Sequence, residues 1–207
     1  MQVAIVGPDG SGKTSVCLEL SKKINNSIVI YGGKRNFNYK LTSFFLWLWK
    51  ATRKIPFFPS FIPRFFMYYP MEFLENANKF IKKDGVLQIY DRHPIDRLVL
   101  KNERLLNKKA KFFDLDLSLL KALCWLYKRK FNTIDFIFML NPSSEVCNMR
   151  SNGQYKNLES VKARQEAYLL ALEEWSSIAK HVCIVEISID MKVVEVSDII
   201  YRRILNV

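Results

Sequence analysis

Glycine, long apolar runs and closely spaced cysteines are all scarce or missing in this sequence of 207 residues. No stretch reaches 18 uncharged apolar residues, which excludes a transmembrane helix. The segment from Met1 to Gly7 has no basic region, which argues against a signal peptide. The 4 cysteines are scattered without a C-x-x-C pair, which predicts free thiols in a reducing, cytoplasmic compartment.

Acidic residues are absent between Leu20 and Met71, although the chain contains 20 of them. Nine lysines and arginines lie in that interval and account for most of the net charge of +12. Such a concentrated positive field predicts an anionic partner at this part of the surface. The remaining composition, 49% hydrophobic and 25% charged, is typical of a globular protein, and the length predicts one domain spanning 1–207.

Apolar runs bounded by polar residues predict five buried strands, at 3–6, 28–31, 86–90, 134–140 and 182–187. Helical periodicity fills the gaps and predicts helices at 13–24, 71–83, 114–130, 142–150, 158–180 and 193–204. Strands that alternate with helices indicate an α/β fold whose parallel sheet is covered on both faces. Ligands bind such sheets at the carboxyl ends of the strands.

A glycine-rich octapeptide follows the first strand and opens the first helix, and it reads Gly7-Pro8-Asp9-Gly10-Ser11-Gly12-Lys13-Thr14. It matches G-x-x-x-x-G-K-[ST], the phosphate-binding loop whose backbone N–H groups surround phosphate oxygens at a helix N-terminus. In this pattern Lys13 reaches the β- and γ-phosphates and the Thr14 hydroxyl binds Mg²⁺. The loop therefore predicts binding of a nucleoside triphosphate.

The tripeptide Asp91-Arg92-His93 closes the third predicted strand. Asp91 is placed to hold Mg²⁺ or to orient an acceptor oxygen, and the alternative is that it only caps the following helix. Arg92 can bind a phosphate group through two parallel hydrogen bonds. His93 is expected to pack or orient, because phosphoryl transfer of this type has little need of a histidine base.

These motifs resemble the thymidylate kinase family of P-loop nucleoside monophosphate kinases. The matching pieces occur in family order over most of the chain, and they are the phosphate-binding loop, Asp84-Gly85 before Asp91-Arg92-His93, Ser144-Glu145-Val146 with Arg150 after the fourth strand, and Glu159 with Tyr168. The resemblance implies a P-loop kinase three-layer fold with a five-stranded parallel sheet, ATP and Mg²⁺, and a small helical lid at about 150–158. It also implies that helices at about 37–83 cover the acceptor.

The resemblance assigns roles to individual residues. The implied catalytic residues are Lys13, Asp91, Arg92 and Arg150, with Thr14 and Asp91 as metal ligands. Asp9 would face the sugar of the acceptor, and Phe66 would stack on its base. Arg35, or its neighbour Lys34, would contact the acceptor phosphate after the second strand.

Several positions depart from the family pattern. Pro70 lies where the family has the arginine that reads thymine, and Asp96-Arg97 replaces a Ser/Thr pair. The lid is short, with Arg150 and Lys156 as its main cations. The acceptor is accordingly predicted as a nucleoside monophosphate or a related small molecule. Two alternatives remain open: a kinase for a sugar or envelope intermediate at the membrane surface, and a non-catalytic nucleotide-binding module.

The segment 37–69 holds 13 of the 28 aromatic residues of the chain and is strongly basic. Three interpretations of it stay open. The segment could form core packing with a homodimer interface, it could attach peripherally to an anionic membrane surface, or it could line a pocket for a large anionic acceptor. Nucleic acid is the least favoured partner, because the sequence contains no recognisable nucleic-acid-binding module.

Overall fold

The computed structural model describes residues 1–32, 40–52, 62–106, 115–130, 134–151, 153–176 and 179–206. Its five strands are all parallel and form one sheet in the order β2-β3-β1-β4-β5. The strands are β1 (Gln2–Val6), β2 (Ser27–Tyr31), β3 (Leu87–Asp91), β4 (Phe136–Pro142) and β5 (His181–Ile187). Each predicted strand is confirmed within two residues at either end.

Eight α-helices and one π-helical segment are found in the described residues. The helices are α1 (Lys13–Lys23), α2 (Lys40–Thr52), α3 (Tyr69–Lys79), α4 (Asp96–Leu106), α5 (Leu115–Lys130), α6 (Ser144–Arg150), α7 (Leu158–Trp175) and α8 (Val193–Leu205), and the π-helix covers Pro63–Tyr68. The helical periodicity gave no bounds for α4, although the alternative role of Asp91 as a cap implied a helix after it. Its apolar stripe is interrupted by Arg97 and Asn102, which are both buried.

Two predicted helices end earlier than expected. The helix predicted at 71–83 ends at Lys79, because the buried side chain of Gln88 binds the following segment. Gln88 donates to the carbonyl of Ile81 at 2.8 Å and accepts from the N–H of Lys83 at 2.9 Å, which holds that segment out of the helix. The helix predicted at 158–180 ends at Trp175.

Alternate residues of β1 face two separate apolar cores. Val3 and Ile5 belong to a cluster with residues of α1 and α8, and Ala4 and Val6 belong to a cluster with residues of α3, α4, α5 and α7. Helices therefore cover both faces of the sheet, and for this reason β1 is apolar at nearly every position. The three-layer α/β fold predicted from the sequence is confirmed.

The strand order brings the predicted motifs to one edge of the sheet. β1 leads into the glycine-rich loop and lies between β3 and β4, with Ile5 directly opposite Asp91. The carboxyl ends of β1 and β3 thus hold the phosphate-binding loop and the Asp91-Arg92 pair side by side. None of the helices in the described part of the chain is long and apolar enough to span a bilayer.

Candidate active site

Two glycines let the phosphate-binding loop pass close to neighbouring backbone. A Cβ atom at Gly7 would lie 2.5 Å from the carbonyl oxygen of Leu140, at the end of β4. A Cβ atom at Gly10 would lie 2.6 Å from the carbonyl oxygen of Cys147, in α6. Both distances are too short for any side chain, and both residues also have positive φ. The loop is therefore wedged between β4 and α6, with α1 beginning immediately after Gly12.

The ammonium group of Lys13 is held inside the loop. Its Nζ atom donates to the carbonyl oxygens of Gly7 at 2.9 Å and Pro8 at 2.7 Å, and only 6% of the residue is exposed. Burial lowers the pKa of Lys13, and the nearby charge of Arg92 lowers it further, while Asp9 partly offsets both effects. A buried cation in such a loop is suited to meet phosphate charge.

Thr14 and Asp91 meet at the first turn of α1. The Thr14 hydroxyl donates to Oδ2 of Asp91 at 2.6 Å, and Asp91 is 1% exposed. The other carboxylate oxygen of Asp91, Oδ1, is buried and has no hydrogen-bond partner within the described ranges. A carboxylate and a hydroxyl are oxygen ligands of the kind that Mg²⁺ prefers, so this pair fits the predicted metal site.

Arg92 connects the loop to a neighbouring cavity. Its Nη2 atom donates to Oδ1 of Asp9 at 2.7 Å, and its Nη1 atom lies 3.8 Å from Oδ2 of Asp96. Burial alone would raise the pKa of Asp9, but the charges of Arg92 and Lys13 outweigh it and hold that pKa below its ordinary value. Asp9 is therefore a carboxylate at neutral pH, paired with the arginine that follows Asp91.

The backbone at Arg92 has an unusual conformation with a φ of +76°. Its carbonyl oxygen lies so close to Gly32 that a Cβ atom there would be only 2.4 Å away. Gly32 follows β2 directly and its N–H donates to the carbonyl oxygen of Asp91 at 2.9 Å. The end of β2 thus supports the position of Arg92, and Gly32 is a residue that motif analysis alone did not single out.

A cavity of about 300 Å³ opens beside Arg92. The ends of β2 and β3 and side chains from α3, α4 and α7 line it, among them Glu72, Asn76, Asp96, Arg97 and Arg164. The lining is thus rich in groups that can form ion pairs and hydrogen bonds. We call it the candidate acceptor cavity, because it shares Arg92 with the phosphate-binding loop.

A buried ion pair lies deep in this acceptor cavity. Arg97 Nη2 donates to Oε2 of Glu72, and the Tyr68 hydroxyl donates to Oε1 of the same carboxylate at 2.7 Å. Nη1 of Arg97 is buried without a hydrogen-bond partner in the part of the chain that is described. The pair of Arg97 and Glu72 therefore forms part of the wall of the cavity.

Arg164 is a cavity residue that the sequence motifs missed. It lies on α7, and its Nη1 atom donates to Glu103 at 2.5 Å while its guanidinium lies over the ring of Tyr168. A signal was present, because the buried residues Val161 and Tyr168 stand three positions before it and four after it on the helix. That spacing places Arg164 on the inward face of α7.

The other predicted site residues are placed as follows. Arg150 is exposed at the end of α6, although its backbone lies beside Gly10. Phe66 is 65% exposed and lines a different, apolar cavity of about 400 Å³ between α3 and α5, away from the cavity that Arg92 lines. Arg35 lies outside the described residues. The predicted lid contributes Tyr155, whose hydroxyl accepts from the N–H of Asp9 at 2.9 Å.

His93 is a packing residue in this arrangement. Its ring packs nearly perpendicular to the rings of Phe80 and Trp175 at centroid distances of 5.5 and 5.2 Å, and its Nδ1 atom accepts from the N–H of Ile95. Burial lowers the pKa of His93 to about 3, so the ring is neutral at physiological pH.

Solved structures of a deoxyadenosine kinase have the same fold. The chain is similar over its full length to deoxyadenosine kinase from M. mycoides with bound dATP (16% identity, all of that chain, TM-score 0.63) and with bound dCTP (15%, all of that chain, 0.62). A third structure of that enzyme, with the products dCMP and dCDP, matches at 16% identity over 99% of its chain with a TM-score of 0.60. The fold is that of a P-loop kinase. No protein-family model and no curated protein matches the sequence significantly.

Proposed function

We propose that this protein is an ATP-dependent kinase that transfers the γ-phosphoryl group of MgATP to a small nucleosidic acceptor. The first candidate for this acceptor is a nucleoside monophosphate. One observation carries the proposal. Asp91 hydrogen-bonds Thr14 of the phosphate-binding loop, and the next residue, Arg92, lines the acceptor cavity. Two consecutive residues thereby join a nucleotide site to an acceptor site, which is the arrangement that direct phosphoryl transfer needs.

The residues on the nucleotide side supply charge at the transferring group. Lys13 would neutralise the β- and γ-phosphates, and Thr14 and Asp91 would hold Mg²⁺. Bound Mg²⁺ would screen phosphate charge and orient the γ-phosphoryl group. An acceptor oxygen would then attack the γ-phosphorus as the bond to the β-phosphate oxygen breaks, with ADP as the leaving group.

Three arginines, Arg92, Arg97 and Arg164, line the acceptor cavity and would bind an acceptor that carries phosphate. Each already contacts a carboxylate, Asp9 and Asp96 at Arg92, Glu72 at Arg97 and Glu103 at Arg164, so the phosphate would share or displace these ion pairs. A phosphate monoester brings a charge of about −1.5 to −2 at neutral pH, and guanidinium groups bind it through paired hydrogen bonds. The volume of about 300 Å³ suits a small molecule.

A nucleoside is the second acceptor class, and the likeness to deoxyadenosine kinases favours including it. A nucleoside presents a neutral hydroxyl, which needs a carboxylate to take its proton. Asp96 is the carboxylate beside Arg92 in the cavity, and it accepts from the Tyr168 hydroxyl at 2.9 Å. Asp96 would serve as base only in that case, so Asp96→Asn would separate the two acceptor classes.

The structure leaves open which nucleobase the acceptor carries. The thymine-reading arginine of the thymidylate kinase family is replaced by Pro70, which lines the apolar cavity between α3 and α5. Thymidylate is therefore one candidate among several. Glu72, Asn76 and Arg97 line the cavity and would be the groups that meet the nucleobase.

The test is ATP-dependent ADP formation with a panel of nucleosides, nucleoside monophosphates and phosphosugars, with Lys13→Ala as the blank. The proposal predicts that one or more monophosphates or nucleosides stimulate ADP formation in the wild type and not in Lys13→Ala. Stimulation by a phosphosugar alone would show that the acceptor is a phosphosugar and not a nucleoside or a nucleoside monophosphate. ATP binding without stimulation by any compound would instead favour a non-catalytic nucleotide-binding module.

A further inference from the structure

Helix α2 exposes an apolar stripe to solvent. Leu41, Phe44 and Trp47, spaced by three residues, expose 49%, 51% and 61% of their surface. Residues at this spacing lie along one side of a helix. Large aromatic side chains rarely stay exposed as neighbours on a soluble surface unless they meet a partner.

The opposite side of α2 packs onto the protein, so the orientation of the stripe is well defined. Trp49 stacks on Tyr68 at a centroid distance of 5.6 Å, and Phe45 and Leu46 pack against the core on one face of the sheet. The apolar stripe is therefore on the outside of a helix that is anchored by its inner side.

Only positive charge accompanies this stripe. Lys40 and Lys50 are exposed near the two ends of α2, and the helix contains no acidic residue. In the sequence no Asp or Glu occurs from Ser21 to Pro70, while nine lysines and arginines do. Exposed Phe, Trp and Leu side chains flanked by lysines are complementary to an apolar layer that lies beneath a negatively charged surface.

We propose that the exposed face of α2 binds the surface of an anionic lipid bilayer. The helix lies parallel to the surface, with Phe44 and Trp47 at the depth of the headgroups and the lysines at the phosphates. At 13 residues it is about 20 Å long, too short to cross the hydrocarbon layer and long enough to lie on it. This inference is independent of the kinase reaction proposed above.

A second copy of the chain fits this face less well. Most homodimers are symmetric and place the same surface patch on both subunits. Such contact through α2 would bring Lys40 and Lys50 of one copy towards those of the other, with no acidic residue on the helix to compensate. Single-stranded nucleic acid also fits less well, because it binds in charged grooves with stacking rings, and α2 presents a convex helix with the aliphatic Leu41.

The experiment is flotation of the full chain with vesicles of phosphatidylcholine, with or without phosphatidylglycerol. The wild type should float with the anionic vesicles and remain behind with the neutral ones, and high salt should weaken the binding. The double variants Phe44→Ser/Trp47→Ser and Lys40→Glu/Lys50→Glu should each lose at least about tenfold in affinity.

Matched control variants change residues on the helices that cover the opposite face of the sheet. Leu18→Ser/Leu205→Ser removes two exposed apolar residues from α1 and α8, and Arg202→Glu/Arg203→Glu reverses two exposed charges on α8. Both should bind anionic vesicles as the wild type does. Circular dichroism and thermal melting verify that every variant folds, and the salt and lipid dependence of the wild type tests the proposal without any variant.

Four results would overturn the proposal. The first is wild-type protein that does not float with anionic vesicles, and the second is flotation that the α2 variants leave unchanged. The third comes from light scattering without lipid: a dimer that Phe44→Ser/Trp47→Ser dissociates would assign the face to a second copy. An oligonucleotide that binds α2 and displaces the vesicles would likewise assign it to nucleic acid.

Discussion

The Thr14 hydroxyl donates a hydrogen bond of 2.6 Å to Asp91, across 77 positions in the sequence. A second link follows at once, because Arg92 is ion-paired at 2.7 Å with Asp9 of the same loop. The phosphate-binding loop and the end of β3 are thus held together at two points. Groups fixed in this way before substrate arrives are what electrostatic catalysis requires.

The hydroxyl of Thr14 should control the requirement for Mg²⁺. Thr14→Val keeps the shape of the side chain and removes both the hydrogen bond to Asp91 and a metal ligand. We expect the Mg²⁺ concentration for half-maximal activity to rise by about 10- to 100-fold. Thr14→Ser keeps the hydroxyl and is the matched control, so equal metal titrations for the two variants would contradict this role.

Removal of the Lys13 ammonium group should reduce turnover more strongly than it reduces nucleotide binding. Lys13→Ala deletes the ammonium group that the loop carbonyls of Gly7 and Pro8 hold in place. Because charge neutralisation dominates phosphoryl transfer, kcat should fall at least about 100-fold. Steady-state ADP formation measures this, and a thermal melt verifies the fold. A variant with wild-type kcat would exclude Lys13 from the reaction.

Arg92 should act on the acceptor. Arg92→Gln removes a charge-assisted contact worth about 1.5–3 kcal/mol, so kcat/KM for the acceptor should fall by about 10- to 150-fold. Arg92→Lys keeps the charge but loses the forked geometry and should recover only part of the loss. Calorimetry should find ATP affinity little changed in both. A loss confined to ATP affinity would show that Arg92 acts on ATP and not on the acceptor.

Gly32 should be intolerant of even one added methyl group. In Gly32→Ala the new Cβ would meet the Arg92 carbonyl oxygen at 2.4 Å, and both groups are attached to backbone. We expect a loss of about 1–3 kcal/mol in unfolding free energy and a raised KM for the acceptor. Gly85→Ala is the control, because Gly85 has a φ of +71° with open space around it. It should cost about 1–2 kcal/mol of stability and leave the KM unchanged.

Thiol chemistry should distinguish Cys183 from the other three cysteines. Cys17, Cys124 and Cys147 are buried, whereas Cys183 is partly exposed. Burial raises the pKa of both Cys124 and Cys147 to about 11. A thiol reagent at pH 8 should therefore modify one thiol rapidly in the native protein and all 4 after denaturation. Rapid modification of two or more native thiols would contradict the packing of these residues.

The same two thiols predict how stability depends on alkaline pH. Their folded pKa values of about 11 exceed the ordinary value of 9.0, so between these values the unfolded chain releases protons that the native protein keeps. Their contribution to stability is complete below pH 9 and is lost as the pH rises towards 11. Urea unfolding at several pH values measures this loss, and Cys124→Ala should show a shallower decline than the wild type.

The motifs that act locally could be predicted from the sequence, because their chemistry depends on adjacent residues. The glycine-rich loop, Asp91 and Arg92 were found in this way, and the five strands followed from short apolar runs. Contacts between distant residues left no such local pattern. The buried pair of Glu72 and Arg97 joins two helices, and nothing near either residue indicates its partner.

Two other features were not fully predicted from the sequence, for related reasons. The bounds of helix α4 were not predicted, because polar residues that are buried in the fold, such as Arg97 and Asn102, interrupt its apolar stripe. The prediction named Arg150 and Lys156 as the main cations of the lid and did not include Arg164 on α7, which lines the acceptor cavity together with Arg92 and Arg97. A charged residue on the inward face of a helix is recognised only when that face is known.

Phosphoryl transfer by this protein is tested directly by following label from [γ-³²P]ATP to an acceptor and separating the products. We expect labelled nucleotide with at least one nucleoside monophosphate or nucleoside, dependent on Mg²⁺, and strongly reduced in Lys13→Ala and Arg92→Gln. If the protein binds ATP and the label remains in ATP or appears only as inorganic phosphate with every acceptor, the assignment as a kinase is contradicted.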